Sequence, residues 1–322
     1  MYDIVGDVHG YANELRQLMT HMGYPLNGKD LSAHPQGRRP VFIGDYVDRG
    51  PDCRQVIEWI RAMTDDGHAD AVMGNHEYNA VLWATPDPRR PGEFVRRHSE
   101  RNHKQHAVFL NQMSADPAFY ASAIDWFKSL PLYLVRGDYR FVHACWHQQS
   151  IDLLQKHDCM TVDGRLTEKG WAAGGDKGSP LREAIDILLK GPEEKLGKDK
   201  IYVDVEGTTR TLARVAWWKE NPATFGEAFS GLPKGLSFAS LPYDKSAAHP
   251  LCEEIKENLR KLSPDARIFI GHLWEQGEPT PLSHQVACVD YSIAQRGRLT
   301  AYRTVAGETD LKPQNFFRAP NP

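Results

Sequence analysis

Residues 44–50 read Gly-Asp-Tyr-Val-Asp-Arg-Gly, and they follow directly on the apolar run Pro-Val-Phe-Ile at residues 40–43. A short apolar run that ends in turn residues is typical of a buried strand. Asp45 therefore stands at the carboxyl end of a predicted strand, with Asp48 and Arg49 in the turn behind it. Because ligands of open α/β sheets bind beyond the carboxyl ends of the strands, we expect these polar side chains at a functional site.

Five further motifs repeat this arrangement, in which polar residues follow an apolar run. They are Gly-Asp-Val-His-Gly at residues 6–10, Gly-Asn-His-Glu at 74–77, Phe-Val-His at 141–143, Gly-His at 271–272 and Val-Asp at 289–290. Strands are predicted at residues 2–5, 40–43 and 69–73, and amphipathic helices at residues 11–22 and after Asp52. This alternation predicts an α/β fold in which neighbouring strand ends aim their motifs at one point.

The motifs together supply a ligand set for two divalent metal ions. The candidate ligands are Asp7, His9, Asp45, Asn75, His143 and His272. Asp7 and His9 are two residues apart, so in extended backbone both side chains can reach one ion. Asp45 has two carboxylate oxygens and can bridge two ions. Because two such ions polarise a phosphoryl group and deprotonate a water between them, we expect phosphoester hydrolysis with that bridging water or hydroxide as the nucleophile.

Other residues of the same motifs are candidates for handling the phosphate. Arg49 is permanently cationic, and its fork of donors suits phosphate oxygens. Asn75 is expected to contact the substrate as well as a metal. His76 follows a metal ligand directly and can protonate the leaving-group oxygen. Asp48 is placed to orient His76 and keep it charged.

These residues resemble the calcineurin-like metallophosphoesterases, and more closely the branch of phosphoprotein phosphatases and bacterial diadenosine tetraphosphatases. The resemblance covers roughly residues 2–82, 130–147 and 267–303 and is most specific at residues 44–50 and 74–77. It implies a four-layer α/β/β/α sandwich with a dimetal site at one edge. Many phosphodiesterases of this superfamily carry a Gly-His-x-His motif. Residues 271–274 read Gly-His-Leu-Trp here and lack its second histidine. Cyclic-nucleotide diesterase activity is therefore disfavoured.

The resemblance also implies how the ligands divide between the two ions. The first ion takes Asp7, His9 and Asp45. The second takes Asp45, Asn75, His143 and His272. Oxygen and imidazole ligands suit Mn, Fe, Zn or Co, and the resemblance implies Mn. It further implies Arg49 on the phosphate and His76 paired with Asp48.

We predict a single metallophosphoesterase domain over residues 1–322, with insertion or cap segments at about 85–129 and 148–264. Within the second segment, Arg210 and Arg214 are candidates for the further phosphate-binding arginine that this family usually has. Trp217 and Trp218 could stack on a nucleobase, but a core position for at least one is the better expectation. An exposed helix carrying His98, His103 and His106 is predicted in the first segment, and a terminal hairpin of residues 286–289 and 298–303 is followed by an irregular tail.

The leading functional hypothesis is a metal-dependent phosphatase acting on phosphomonoesters, including phosphoprotein. The alternative is a hydrolase of dinucleoside polyphosphates such as diadenosine tetraphosphate, which would need the same dimetal attack on phosphorus. An open cleft would favour phosphoprotein, and a closed basic pocket with a stacking tryptophan would favour a nucleotide. An inactive binding module is less expected, because every candidate ligand is present together with Arg49 and His76.

The bulk composition narrows the partners. A formal net charge of −3 over 322 residues disfavours general nucleic-acid binding, which needs a basic surface. The chain has no apolar stretch near the ~20 residues that span a bilayer, and Asp7 and His9 leave no room for a signal peptide before the site. We therefore expect a soluble, cytoplasmic protein. The sequence does not predict its oligomeric state.

Overall fold

The structure is a computed structural model that describes residues 1–27, 30–197, 199–204, 207–244 and 250–320. Its α-helices are α1 (Ala12–His21), α2 (Cys53–Asp65), α3 (Asn75–Ala84), α4 (Glu100–Met113), α5 (Pro117–Ser129), α6 (Gln148–Lys156), α7 (Glu168–Ala173), α8 (Pro180–Lys190), α9 (Phe225–Ala228) and α10 (Pro250–Lys261). Its strands are β1 (Tyr2–Val5), β2 (Leu26–Asn27), β3 (Asp30–Leu31), β4 (Arg39–Phe42), β5 (Asp70–Ala71), β6 (Tyr133–Arg136), β7 (Tyr139–Val142), β8 (Glu193–Lys195), β9 (Tyr202–Val203), β10 (Thr209–Arg210), β11 (Leu212–Val215), β12 (Phe229–Ser230), β13 (Arg267–Ile270), β14 (Val286–Cys288), β15 (Thr300–Arg303) and β16 (Phe316–Arg318). The predicted α/β class is confirmed. Among these described residues, no helix has the length and apolar character that crossing a membrane requires.

Two sheets carry the predicted motifs. The first has the strand order β16-β15-β1-β4-β5, in which β1, β4 and β5 are parallel. The second has the order β14-β13-β7-β6, in which β14, β13 and β7 are parallel. The motif strands are therefore the parallel ones in both sheets, so their carboxyl ends can meet at one edge.

The alternation of side chains along the strands explains the layers. Ile4, Val41, Phe141 and Phe269 belong to one buried cluster that joins the inner faces of the two sheets. Their chain neighbours, Val5 among them, belong to a second cluster that includes the core faces of α1, α2, α6 and α8. Because successive strand residues point to opposite faces, each sheet packs on its partner with one face and on helices with the other. This is the expected α/β/β/α arrangement.

The predicted terminal hairpin is wrong. Strand β14 pairs in parallel with β13 in the second sheet, whereas β15 pairs with β1 in the first. The connection turns away after β14 because the Asp290 carboxylate accepts the backbone N–H of Trp274 at 2.8 Å and of Ser292 at 2.9 Å. Ser292 and Arg296 then adopt left-handed backbone with φ of 59° and 65°. The tail is also more regular than expected, since β16 pairs with β15.

The segment from residue 148 to 264 has two parts. Helices α6 and α8 contribute Ile151, Leu154, Ile185 and Leu188 to the main core and cover the second sheet. The described part of residues 193–243, which we call the cap segment, has its own small apolar cluster around β8, β11 and β12. Residues 198, 205–206 and 245–249 of the predicted insertion lie outside the described residues.

Candidate metal centre

The ends of five parallel strands bring the six candidate ligands together. Asp7 and His9 follow β1, Asp45 follows β4, Asn75 follows β5, His143 follows β7 and His272 follows β13. Backbone hydrogen bonds connect these loops, with His9 N–H donating to Asp45 O at 2.8 Å and Gly271 N–H to His143 O at 2.8 Å. The ligand positions are thus set by the sheet edges and by loop-to-loop bonds.

The Asp45 carboxylate lies between two sets of imidazoles. Its Oδ2 is 3.7 Å from Nε2 of His9 and 3.8 Å from Nε2 of His76. Its Oδ1 is 3.4 Å from Nε2 of His143, and Asp45, His143 and His272 form a second group whose ligand atoms lie within 4.8 Å of one another. One carboxylate thus has an oxygen in each of two ligand groups, which is the arrangement that a pair of ions requires.

Buried atoms without partners show that these residues fit metal ions. Oδ1 of Asp7 and both ring nitrogens of His272 are buried and have no hydrogen-bond partner among the described residues. Oδ2 of Asp7 accepts the backbone N–H of His272 at 3.1 Å, which leaves Oδ1 as the free ligand atom. Asn75 completes the second group, with Oδ1 at 3.2 Å from Nε2 of His143. Because buried polar atoms are normally satisfied, these donor atoms are suited to coordination.

The protonation states also suit coordination. Burial lowers the pKa of His9 to about 4 and that of His272 well below its ordinary value. Both rings are therefore neutral near pH 7, as metal ligands must be. Burial alone would raise the pKa of Asp45, but the neighbouring His143 and His76 outweigh it and lower this pKa well below the ordinary value. Asp45 is consequently ionised and can donate both oxygens.

His76 and Asp48 form the expected pair. Nδ1 of His76 is 2.7 Å from Oδ2 of Asp48, so Nε2 of the ring is directed at the Asp45 carboxylate, 3.8 Å from its Oδ2. Burial alone would lower the pKa of His76, but the charge of Asp45 and the hydrogen bond to Asp48 raise it overall. His76 also lies within ligand distance of His9 and Asp45, so position alone allows it to act as a ligand or as an acid.

The prediction of an exposed His106 is wrong. His98 and His103 are exposed on or beside α4, but His106 is completely buried, and its Nδ1 is 2.7 Å from Oδ1 of Asp48. The signal was present in the sequence, because His106 shares a helix face with Phe109 and Met113 at spacings of three and seven residues. The polar composition of the helix concealed it.

Glu77 has a role that the motif analysis did not assign. Its carboxylate is fully buried and accepts three backbone N–H groups, from Asp45 at 2.8 Å, Tyr46 at 2.7 Å and Gly74 at 3.0 Å. These bonds fasten the loop that carries Asp45 to the start of α3. Glu77 therefore positions Asp45 and Asn75 without itself facing the ligand groups.

A cavity of about 830 Å³ opens over the site. Arg49, Arg96 and Arg214 line it, together with Trp218 from the cap segment. Arg214 donates to the backbone oxygen of His272 at 3.3 Å, so the cap places this guanidinium directly beside a candidate metal ligand. Arg96 was not singled out from the sequence, since it stands in a polar segment without a motif.

The other two candidates in the cap segment are less directly placed. Arg210 also lines the cavity, but its Nε bonds Asp204 at 2.7 Å. Trp217 is 1% exposed and belongs to the core, which agrees with the expectation that at least one of the two tryptophans is structural. Arg214 is therefore the better placed of the two predicted arginines.

Curated relatives match only a part of the chain. The Bis(5'-nucleosyl)-tetraphosphatase PrpE [asymmetrical] of Anoxybacillus flavithermus is 41% identical over 76 residues, which is 24% of this chain and 31% of the relative. The protein of the same name from Bacillus subtilis is 40% identical over 76 residues, which is 23% of this chain and 30% of the relative. The chain thus spans about a third of the length of these relatives.

Solved structures and a family model match more of the chain. A putative diadenosine tetraphosphatase aligns over 94% of this chain and 87% of its own, with 17% identity and a TM-score of 0.42. A protein serine/threonine phosphatase from Saccharomyces cerevisiae aligns over 98% of this chain and 78% of its own, with 14% identity and a TM-score of 0.48. The family model described as calcineurin-like phosphoesterase matches residues 2–273. Because this match covers most of the chain, the protein belongs to the calcineurin-like phosphoesterase family.

Proposed function

We propose that the protein hydrolyses phosphoesters at this site with the help of two divalent metal ions. The observation that carries the proposal is the Asp45 carboxylate, which has one oxygen in the group with His9 and one in the group with His143 and His272. We assign Asp7, with its unpartnered oxygen, to the first ion. Asn75 completes the second. When bound, two such ions would polarise the phosphoryl group and lower the pKa of a water.

The protein's own residues would perform the remaining steps. Hydrolysis replaces the P–O bond to the leaving group with a P–O bond to water, and the leaving oxygen takes up a proton. His76 is the proposed proton donor, because its Nδ1 bonds Asp48 and its Nε2 faces the ligands. Arg49, Arg214 and Asn75 all line the cavity and are proposed to hold the phosphate oxygens.

We propose Mn as the metal. The ligands are carboxylate, amide and imidazole groups, without any thiolate, and this chemistry suits Mn as well as Fe, Zn or Co. Metal-stripped protein reloaded separately with each ion would distinguish them. The expected result is the highest turnover with Mn, and a clear preference for another ion would replace the assignment.

Phosphomonoesters, including phosphoprotein, are the proposed substrates. The test measures phosphate release by the Mn-loaded protein from p-nitrophenyl phosphate, a phosphoserine peptide and a phosphotyrosine peptide, and nucleotide release from diadenosine tetraphosphate. Asp45→Asn should abolish turnover. Asp52→Asn is the matched control, because Asp52 is an exposed N-cap of α2 and asparagine caps equally well. If no substrate is hydrolysed by the reloaded protein, the proposal is wrong and the inactive binding module becomes the better hypothesis.

Dinucleoside polyphosphates are the second candidate, and the cavity favours them. A volume of about 830 Å³ is in the range that encloses a small molecule. Arg96 lines it, and among the described residues its guanidinium has the Gln105 side-chain oxygen at 2.9 Å as its hydrogen-bond partner and no carboxylate within ion-pair distance. The Arg96 guanidinium could therefore donate hydrogen bonds to a second phosphate group of the substrate. Arg96→Gln should raise KM for diadenosine tetraphosphate but not for p-nitrophenyl phosphate, whereas the exposed Arg97→Gln should change neither.

We also propose one metallophosphoesterase domain in which the cap segment selects the substrate. The placement of Arg214, Arg210 and Trp218 in the cavity wall supports this assignment. The predicted boundaries, about 85–129 and 148–264, stay predictions. The role of the cap segment can be tested with Arg210→Gln and Arg214→Gln, which should keep metal binding and change substrate preference. We propose a soluble, cytoplasmic protein that has a phosphorylated substrate as its partner and does not bind nucleic acid generally.

A further inference from the structure

The Asp48 carboxylate holds two histidines, one on each oxygen. Oδ2 is 2.7 Å from Nδ1 of His76, and Oδ1 is 2.7 Å from Nδ1 of His106. Asp48 is 3% exposed and His106 is 0% exposed, so water does not compete for either bond. His106, Asp48 and His76 therefore form a hydrogen-bonded chain from the helix layer to the candidate metal ligands.

The tautomer of His106 follows from its surroundings. Its Nε2 is buried without a hydrogen-bond partner among the described residues. Its ring packs against the rings of Trp83 and Phe109, with centroid-to-centroid distances of 5.8 Å and 5.3 Å. A proton on Nε2 would have no acceptor, whereas a proton on Nδ1 is donated to Asp48. His106 therefore acts towards Asp48 as a hydrogen-bond donor.

Helix α4 is anchored to the same loop at a second point. Gln112 accepts the backbone N–H of Cys53 at 2.7 Å and donates to the backbone oxygen of Gly50 at 3.0 Å. His106 and Gln112 lie six residues apart on α4 and bond the two sides of the loop that carries Asp48 and Arg49. The helix thus fixes both the backbone and one side chain of this loop.

We propose that His106 is a positioning residue that holds the Asp48 carboxylate in the orientation that presents His76 to the leaving group. The inference rests on the proposed function, since it assigns His76 as the proton donor. The last torsion of an aspartate side chain is soft, so a carboxylate bonded through one oxygen can turn. The bond from His106 removes that freedom and keeps Oδ2 on His76. The family motifs at residues 44–50 and 74–77 supply Asp48 and His76, whereas His106 comes from the polar segment between them and the next motif.

The test compares substrates whose leaving groups differ in their need for a proton. Phenyl phosphate releases a phenol with a pKa of about 10 and needs the acid, whereas p-nitrophenyl phosphate releases a much weaker base and needs it little. His106→Phe keeps a ring but removes the donor. It should lower kcat for phenyl phosphate by about 10- to 100-fold, the usual cost of losing an outer partner, and should lower kcat for p-nitrophenyl phosphate by less than about 3-fold.

Two further variants separate positioning from packing. His106→Asn places a side-chain N–H near the position of Nδ1, so it should recover most of the activity on phenyl phosphate. His103 lies one helical turn earlier and is exposed, so His103→Phe should leave kcat unchanged for both substrates. In an Asp48→Asn background, His106→Phe should cause no additional loss, because both changes remove the same orientation of His76. Thermal melting identifies any variant that has not folded.

A spectroscopic readout does not depend on turnover. In the proton NMR spectrum of the Zn-loaded wild-type protein, the two short His–Asp hydrogen bonds should give two downfield imidazole N–H signals. His106→Phe should remove one and shift the other. Equal losses on both substrates, additivity with Asp48→Asn, or an unshifted second signal would overturn the inference. If the wild-type protein hydrolyses nothing, the proposed function fails, while the proton signals still report whether His106 orients the Asp48–His76 pair.

Discussion

Replacing Glu77 with glutamine should destabilise the protein by about 3–5 kcal/mol. Glu77 accepts the N–H groups of Asp45 and Gly74 with Oε2 and that of Tyr46 with Oε1. A glutamine has one oxygen, so at least one N–H loses its acceptor in a fully buried place, at about 1–3 kcal/mol. The remaining bonds change from charged to neutral acceptors and weaken by about 1 kcal/mol each.

Urea denaturation of metal-stripped Glu77→Gln and wild-type protein measures this loss. Burial and the charge of Asp45 raise the pKa of Glu77 to about 7, so ionisation of Glu77 opposes folding and its contribution to stability falls as the pH rises through about 7. The comparison belongs at about pH 8, where the carboxylate is ionised, and the loss of about 3–5 kcal/mol is then an upper value, because glutamine avoids the cost of burying the charge. The midpoint should fall with an unchanged slope. Glu100→Gln is the control, because Glu100 is exposed in the first turn of α4 and should change stability by less than about 0.5 kcal/mol. A loss below about 1 kcal/mol at Glu77 would show that these bonds do not hold the loops together.

Two further predictions concern the metal content and a buried ion-pair cluster at Asp3 on β1, the central strand of the first sheet. Asp45→Asn should lower the affinity for both ions after equilibrium dialysis, whereas His272→Ala should remove only one equivalent; full binding of two ions by Asp45→Asn would refute the shared carboxylate. Asp3 is completely buried and bonds Arg38 at 2.9 Å and Arg303 at 2.9 Å, so Asp3→Asn should cost about 3–5 kcal/mol in urea. Burial alone would raise the pKa of Asp3, but Arg303 and Arg38 outweigh it and lower this pKa below 3.8. The stabilisation is therefore fully present above pH 3.8 and should disappear as the pH falls through the lower pKa of the folded protein.

The sequence predicts the site better than it predicts the connections. Asp7, Asp45, Asn75, His143 and His272 each stand directly after a short apolar run, and parallel strands align such positions at one edge. Local pattern and general sheet geometry are therefore enough to predict that these residues meet. The meeting of the candidate ligands at one sheet edge can thus be predicted without knowing the register of any strand.

The terminal strands show where local pattern is insufficient. Residues 286–288 and 300–303 are both short apolar runs, and nothing local tells whether they pair with each other or with separate sheets. The choice is made by tertiary contacts, since Ala301 packs beside Val5 while Cys288 packs beside Ile270. The burial of His106 had a local signal, but its partner did not, because Asp48 is 58 residues away in the chain.

Backbone conformation explains why the ligand loops depend on their surroundings. His9, Asp45 and His272 have φ of 50°, 54° and 65°, in the left-handed region that costs about 1–3 kcal/mol for residues with a side chain. Such conformations persist only when other contacts hold them, and Glu77 supplies these at Asp45. Beside His272, the missing side chain of Gly271 allows the Asp7 carboxylate to lie close to the backbone, since a Cβ at this position would be 2.1 Å from Oδ1 of Asp7. The glycine and the buried glutamate of the motifs are therefore as necessary to the ligand geometry as the ligands themselves, since they allow strained residues to face one point from five strands.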